Sequence, residues 1–206
     1  APLFCAPPLR GTRPRAQIPR MPILPQRLAD LFVASRVVMP LTAGTVADAA
    51  EALCVSLDQS GALSNADLLR ERIEEARSED IVGLADRAFV LHYRSDAVRD
   101  LVVSIGVAPK DVVRVLDDDD LQRARLVVLV CAPPRQMARH LQVVSALVQV
   151  LSNPTSVAAA LAAETPAQLL ALPQFTGKAL PAQLTVRELM SERPRSVGPD
   201  VPLRSA

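Results

Sequence analysis

The sequence has no tryptophan, a single tyrosine and four phenylalanines among its 206 residues. Half of the residues are hydrophobic, so a buried core must be built mainly from leucine, valine and alanine. The aromatic platforms on which single-stranded nucleic acid stacks are missing, and a net charge of +1 gives no excess of positive charge for a polyanion. We therefore expect no nucleic acid among the partners of this chain.

Cysteine is also scarce. Cys5, Cys54 and Cys131 are odd in number and lack the spacing of metal ligands, so we expect reduced thiols and neither a metal nor a cofactor. Reduced thiols fit a reducing compartment, and we expect a cytoplasmic location. No apolar run approaches the ~18 residues that a membrane span needs. Residues 1–25 lack the apolar stretch of a signal peptide.

Shifts in composition divide the chain into four segments. Residues 1–25 contain seven prolines, and we expect a disordered lead-in because proline removes backbone donors from helices and sheets. Residues 26–172 are predicted to form the folded domain, and residues 173–183 a linker. Residues 184–206 begin a new pattern that is too short to bury a core of its own.

Helices alternate with apolar strands in the central segment. Thr45 and Asp48 form a capping-box pattern before residues with helical spacing, and the signal recurs at residues 64–67. A long helix is predicted from Arg135 to Leu151. Apolar runs predict strands at Ala88–His92, Leu101–Val107 and Arg125–Ala132. This alternation predicts an α/β fold in which helices flank a mixed β-sheet.

Two histidines are the main candidates for chemistry. An imidazole can carry a phosphoryl group, and His92 stands where a predicted strand ends. His140 lies near a helix start, where free amides favour anions, and Arg77 could clamp a phosphoryl group with two hydrogen bonds. A structural histidine is the alternative for His92. The run Asp117–Asp120 is interpreted as a solvated loop, because consecutive carboxylates point in different directions.

Residues 26–172 resemble the type-2 enzyme IIA domain of the bacterial phosphotransferase system, the fructose, mannitol and nitrogen-related family. The segment Phe89–His92 stands where that family carries Ala-Ile-Pro-His, and Glu75–Glu79 resembles its Ala-Arg-Glu segment. RLVVLVCAPP and RHLQVVSALVQVLSN resemble the strand and helix that follow in the family. The resemblance implies that His92 is the phosphorylated histidine, His140 the second active-site histidine and Arg77 the active-site arginine.

The same resemblance implies a phosphocarrier, a phosphotransferase if it is active. It would accept a phosphoryl group from the carrier protein HPr and relay it to a transport domain or a regulatory target. A sugar-specific transport component and a non-catalytic interaction module are the alternatives. Phe89, Leu91 and Tyr93 replace the proline and small residues of the family motif. We expect these three to crowd the pocket and to slow or abolish transfer.

Residues 184–206 carry a second resemblance. LTVRELM, followed by VGPDVPL, is similar to the opening of a CBS domain. Complete pairs of CBS domains often bind adenine nucleotides, so the resemblance implies such a ligand for the complete module. It also favours regulation over sugar uptake. A tail with chance similarity is the alternative.

Overall fold

The computed structural model describes residues 27–75, 77–116 and 120–180. The predicted lead-in, the predicted CBS start and residues 117–119 of the acidic run lie outside these ranges. The described strands are Val37–Val38 (β1), Ile81–Gly83 (β2), Ala88–Arg94 (β3), Val102–Val115 (β4) and Leu121–Ala132 (β5). The described α-helices are Val46–Gln59 (α1), Ala66–Glu74 (α2), Met137–Leu151 (α3), Pro154–Ala162 (α4), Pro166–Leu170 (α5) and Pro173–Thr176 (α6).

Side-chain caps fix where several helices begin. The Asp48 amide donates to the Thr45 hydroxyl at 3.2 Å, and the Thr45 amide donates to the Asp48 carboxylate at 3.1 Å. This reciprocal pair satisfies two amides that the first turn leaves free, and α1 starts at Val46 as predicted. Asn65 caps α2 in a similar way by accepting from the Asp67 amide.

The five described strands form one mixed sheet in the order β1-β4-β5-β3-β2. β5 pairs antiparallel with β4 and parallel with β3, while the short β1 and β2 pair with β4 and β3. The segment Leu126–Ala132 of β5 is buried throughout, as its apolar sequence predicted. Because β3 lies next to this central strand, its carboxyl end is held rigidly against the middle of the sheet.

Helices cover both faces of this sheet. Ala88 and Val90 of β3 pack in the apolar cluster that contains residues of α3 to α6. Phe89, Leu91 and Tyr93 alternate with them and pack in a second cluster with α1 and α2. The structure confirms the predicted α/β fold with a mixed sheet flanked by helices.

The helices on the α3 face are strongly apolar. Among the described residues, no single helix is long and apolar enough to cross a membrane. Pro134–Leu151 and Pro154–Ala162 reach that length and composition only as a pair, and the pair bends by 87° at its break.

The packed core continues past the predicted domain end at residue 172. α6 lies where a linker was predicted, and Phe175 is only 1% exposed. The Phe175 ring meets the Phe32 ring edge-on, with centroids 5.1 Å apart. Ala179 also forms a bridge with Arg27. We therefore propose that the folded domain includes residues 173–180.

A chain that ends at residue 172 should be less stable than one that ends at residue 180. The shorter chain loses the buried Phe175, and losing a buried phenylalanine side chain costs about 3 kcal/mol. For a domain of this size we expect the melting temperature to fall by roughly 10 °C. Thermal unfolding of both chains measures this. Equal melting temperatures would place the boundary at residue 172.

Candidate functional site

The structure brings the two histidines together. His92 lies near the carboxyl end of β3, opposite Val130 of β5. His140 lies in the first turn of α3, on the face of the helix that packs against the sheet. The two imidazole rings meet edge-on, with centroids 5.5 Å apart and planes at 61°. A group bonded to the His92 ring would therefore lie within reach of His140.

Burial keeps both imidazoles neutral near pH 7. Burial, reinforced by the positive charge of a protonated His92 and by Arg94, lowers the pKa of His140 to about 4. Burial also lowers the pKa of His92, and attraction to Asp80 and a hydrogen bond to its own backbone oppose that shift. A neutral imidazole has a ring nitrogen with a free lone pair, which is the form that attacks phosphorus.

Two features around the rings favour an anion. His140 is 3% exposed, and its Nε2 atom is buried with no hydrogen-bond partner among the described residues. Arg94 is on the same side of β3 as His92, and no acidic group in the described ranges pairs with it.

Arg94 was missed by sequence reasoning. Its positive charge lowers the pKa of both histidines. The available signal was the period of two along a strand, which places residue 94 on the face of residue 92. That signal becomes useful only once the strand is known to continue past His92, and the predicted strand ended there.

A second charged group lies on the other side of β3. Arg72 Nη2 is 2.6 Å from Asp80 Oδ2, an ion pair between side chains that are 14% and 10% exposed. Arg72 also packs over the Tyr93 ring, with its guanidinium carbon 5.9 Å from the ring centroid. The charges of Arg72 and Asp80 both act on the pKa of His92. This pair therefore belongs to the electrostatic surroundings of the histidine.

The structure does not group Arg77 with the two histidines. Arg77 Nη2 forms an ion pair with Glu75 Oε2 at 2.8 Å, and its side chain is 53% exposed. It lines a cavity on the α1 and α2 face of the sheet, whereas His140 lies on the α3 face. Its role as a phosphoryl clamp stays a prediction.

The predicted crowding of His92 by three large residues is not found. Phe89, Leu91 and Tyr93 are buried in the cluster with α1 and α2, on the face of β3 opposite to the histidine pair. Strand alternation explains this, because residues at odd positions point away from the side of residue 92. These substitutions change the core on the α1 and α2 face of β3 and do not crowd the face that carries His92.

The depressed pKa of His140 predicts a loss of stability in acid. Between pH 6.5 and about 4 the unfolded chain binds a proton at this residue and the folded chain does not, so stability falls as the pH falls. We expect the free energy of unfolding to fall by about 1 kcal/mol per pH unit in this window. His92 should add a smaller loss of the same sign.

Urea unfolding at pH 5 and pH 6.5 measures this slope, with His140→Leu as the control because leucine does not titrate. The parent should lose more stability than the variant over this range. Equal losses would mean that His140 has an ordinary pKa in the folded chain.

Most of the chain matches one known protein family. A family model described as "Phosphoenolpyruvate-dependent sugar phosphotransferase system, EIIA 2" matches residues 30–174, a range that includes both histidines. No match was found among curated protein sequences.

Three solved structures have a similar fold. They are nitrogen regulatory protein IIA-Ntr from Neisseria meningitidis, IIA mannitol from Escherichia coli, and the complex of enzyme IIA mannitol with phosphorylated enzyme IIB mannitol from Escherichia coli. Their TM-scores are 0.60, 0.56 and 0.54, with identities of 18%, 19% and 17%. The matches cover 70%, 68% and 71% of this chain and 97%, 99% and 98% of the others. At these identities the likeness shows the fold.

Proposed function

The chain belongs to the EIIA type-2 family of the phosphoenolpyruvate-dependent sugar phosphotransferase system, and on this premise we propose that it accepts a phosphoryl group on His92 from an HPr-like carrier protein. The observation that carries the proposal is the pair of imidazoles whose ring centroids lie 5.5 Å apart, with a buried ring nitrogen on His140 that has no hydrogen-bond partner in the described part of the chain. A buried polar atom without a partner is costly and calls for an explanation. A phosphoryl oxygen beside His140 supplies that partner.

In the proposed step, the lone pair of a His92 ring nitrogen forms a bond to phosphorus. The bond from phosphorus to the donor's histidine nitrogen breaks, and its electron pair stays with the donor ring. The donor leaves as a neutral imidazole when its other ring nitrogen carries a proton. His140 stabilises the phosphoryl oxygens by donating a hydrogen bond, and Arg94 balances their negative charge.

The surface beside the acceptor suits a protein donor. Met137 and Leu141 are four residues apart on α3, so they lie on one side of the helix, and they are 49% and 43% exposed. Both are neighbours of His140 on α3, so a protein that approaches the histidine pair at this end of the helix would meet them. We assign this pair of side chains to the contact with the carrier protein. The proposed function also implies that the chain acts in the cytoplasm.

The protein that receives the phosphoryl group from this chain depends on whether the chain serves transport or regulation. A IIB protein is the partner in one of the similar structures, and by analogy a IIB-like domain is the proposed acceptor in a transport role. A regulatory role would follow from the CBS resemblance of residues 184–206, with an adenine nucleotide as the ligand of a complete module. Transfer of label from the phosphorylated chain to a IIB domain distinguishes these roles.

Two arginines compete for the cationic role at the phosphoryl group. The structure favours Arg94, whereas the family resemblance names Arg77. We expect Arg94→Gln to slow labelling of the chain by phosphorylated HPr by about tenfold, because one charge-assisted contact is lost. Arg77→Gln should change the rate less than twofold if its ion pair with Glu75 persists during transfer.

A labelling time course of both variants and the parent decides between the arginines. Arg99→Gln is the matched control, because this exposed arginine has no ion pair within the described ranges. Slow labelling of Arg77→Gln with normal labelling of Arg94→Gln would assign the clamp to Arg77.

A further inference from the structure

A cavity of about 500 Å³ lies on the α1 and α2 face of the sheet, on the far side of β3 from the histidine pair. It opens between the N-terminal half of α1, the end of α2 and the far part of β4. Most of its wall is apolar, including Val46, Ile73, Val113 and Leu116. Its size is within the range of small-molecule sites, which combine apolar walls with a few polar groups.

The charged side chains that line this cavity are positive. Arg77 and Arg114 line it, and no carboxylate does so among the described residues. Arg114 donates to the carbonyl oxygens of Ile81 and Ser78 at 3.2 and 3.1 Å, so its charge is not neutralised by an acid there. Arg77 is paired with Glu75, but both side chains are about half exposed, and such pairs are weak.

Tyr93 adds a neutral hydrogen-bond donor. It lines the cavity and is 4% exposed. Burial, together with the negative charge of Asp80, raises the pKa of Tyr93 to about 12, so the phenol keeps its proton. A phenol in such a position usually donates to an acceptor, and a ligand in the cavity would supply one.

The neighbouring acidic group does not fill this role. Asp120 is exposed and closes the turn between β4 and β5 by accepting a hydrogen bond at its backbone carbonyl from the Leu116 amide. It does not line the cavity. The polar side chains that line the cavity are therefore two guanidinium groups, the Tyr93 phenol and the hydroxyls of Thr45 and Ser78, all of which can donate to an anion.

We propose that this cavity binds a small molecule with an apolar body and one acidic group, whose carboxylate or sulfonate lies between Arg77 and the Tyr93 hydroxyl. The apolar body fills the space under α1. The site is separate from the phosphoryl acceptor, because Tyr93 and His92 point to opposite faces of β3. Binding can therefore be tested without HPr, and its outcome is independent of the proposed function.

The test uses two fluorescent probes with the same aromatic body. 1-Anilinonaphthalene-8-sulfonate carries a sulfonate, and N-phenyl-1-naphthylamine does not. Titration of the full chain should show one saturable site that binds the sulfonate probe about tenfold more tightly than the neutral probe, as expected for a charge-assisted contact. Arg77→Gln should remove most of this difference, and Tyr93→Phe should weaken sulfonate binding a few-fold.

A second set of variants tests whether the probe is in the cavity. Ala47 is an exposed helix residue at the cavity wall, so Ala47→Phe should block entry and weaken binding at least tenfold without unfolding the chain. Ala162→Phe on α4 and Val33→Ser, at an exposed apolar residue outside the cavity, should leave binding unchanged. Melting curves confirm that each variant is folded.

Three results would overturn the proposal. The first is the absence of saturable sulfonate binding by the parent chain. The second is equal binding of the two probes. The third is normal binding by folded Ala47→Phe.

Discussion

Replacing His92 by glutamine should abolish phosphorylation of the chain by HPr. Glutamine keeps a polar side chain of similar size at the end of β3 but has no nucleophilic ring nitrogen. His140 cannot replace the lost acceptor, because it is 3% exposed. Attack by His140 would need the donor phosphorus to reach this buried ring directly, whereas its proposed hydrogen bond needs only an oxygen of a phosphoryl group already held on His92.

The measurement is a time course of acid-labile phosphate on the parent and on His92→Gln, with phosphoenolpyruvate, enzyme I and HPr as the donor chain. The variant should melt within a few degrees of the parent, since His92 is only half-buried. Labelling of His92→Gln at the parent's rate would show that another residue is the acceptor.

Replacing His140 by alanine should slow labelling without abolishing it. The buried Nε2 of His140 is proposed to donate to the phosphoryl oxygens, and the loss of one preorganised donor typically slows a reaction by about 10²–10³-fold. The nucleophile on His92 is still present, so the final amount of phosphate on the chain should approach that of the parent.

His140→Gln is the informative companion to this variant. Its amide N–H can donate where Nε2 did, so it should recover part of the lost rate, whereas a purely structural role would not be restored by a donor. Complete loss of labelling in His140→Ala, together with normal labelling of His92→Gln, would reverse the assigned roles of the two histidines.

The sequence predicted the elements whose signals are local. The capping pair of Thr45 and Asp48 marks the start of α1, and the apolar run before Pro133 marks β5. β2 was missed because three residues that end in Gly83 show no alternation. β4 was predicted to end at Val107, but after a shift in register there it continues through the exposed residues 109–111 and pairs again from Val112.

The candidate site was also predictable only where it depends on local sequence. The resemblance located His92 and His140, and the structure brings their rings together. The contribution of Arg94 depends on how far β3 extends, and that of Arg72 on a helix that packs behind the strand. Neither is fixed by local sequence. The family spacing names Arg77, but the loop between α2 and β2 decides where that side chain lies.

The far end of the domain shows a different limit. Phe175 follows Pro173 in a stretch with little periodicity, so residues 173–183 read as a linker. Its burial depends on Phe32, which is far away along the chain and meets it only in the folded state. Contacts of this kind have no local signal, because four helical residues are too few to show an amphipathic pattern.

The central claim is that the unmodified chain accepts phosphate on His92. The most direct measurement is the intact mass of the parent after incubation with phosphoenolpyruvate, enzyme I and HPr, followed by acid treatment and by peptide mapping at neutral pH. We expect the mass of one phosphoryl group, lost in acid and mapped to the peptide that contains His92. A parent chain that gains no phosphoryl group from fully phosphorylated HPr would contradict the account and leave a non-catalytic interaction module with the same fold.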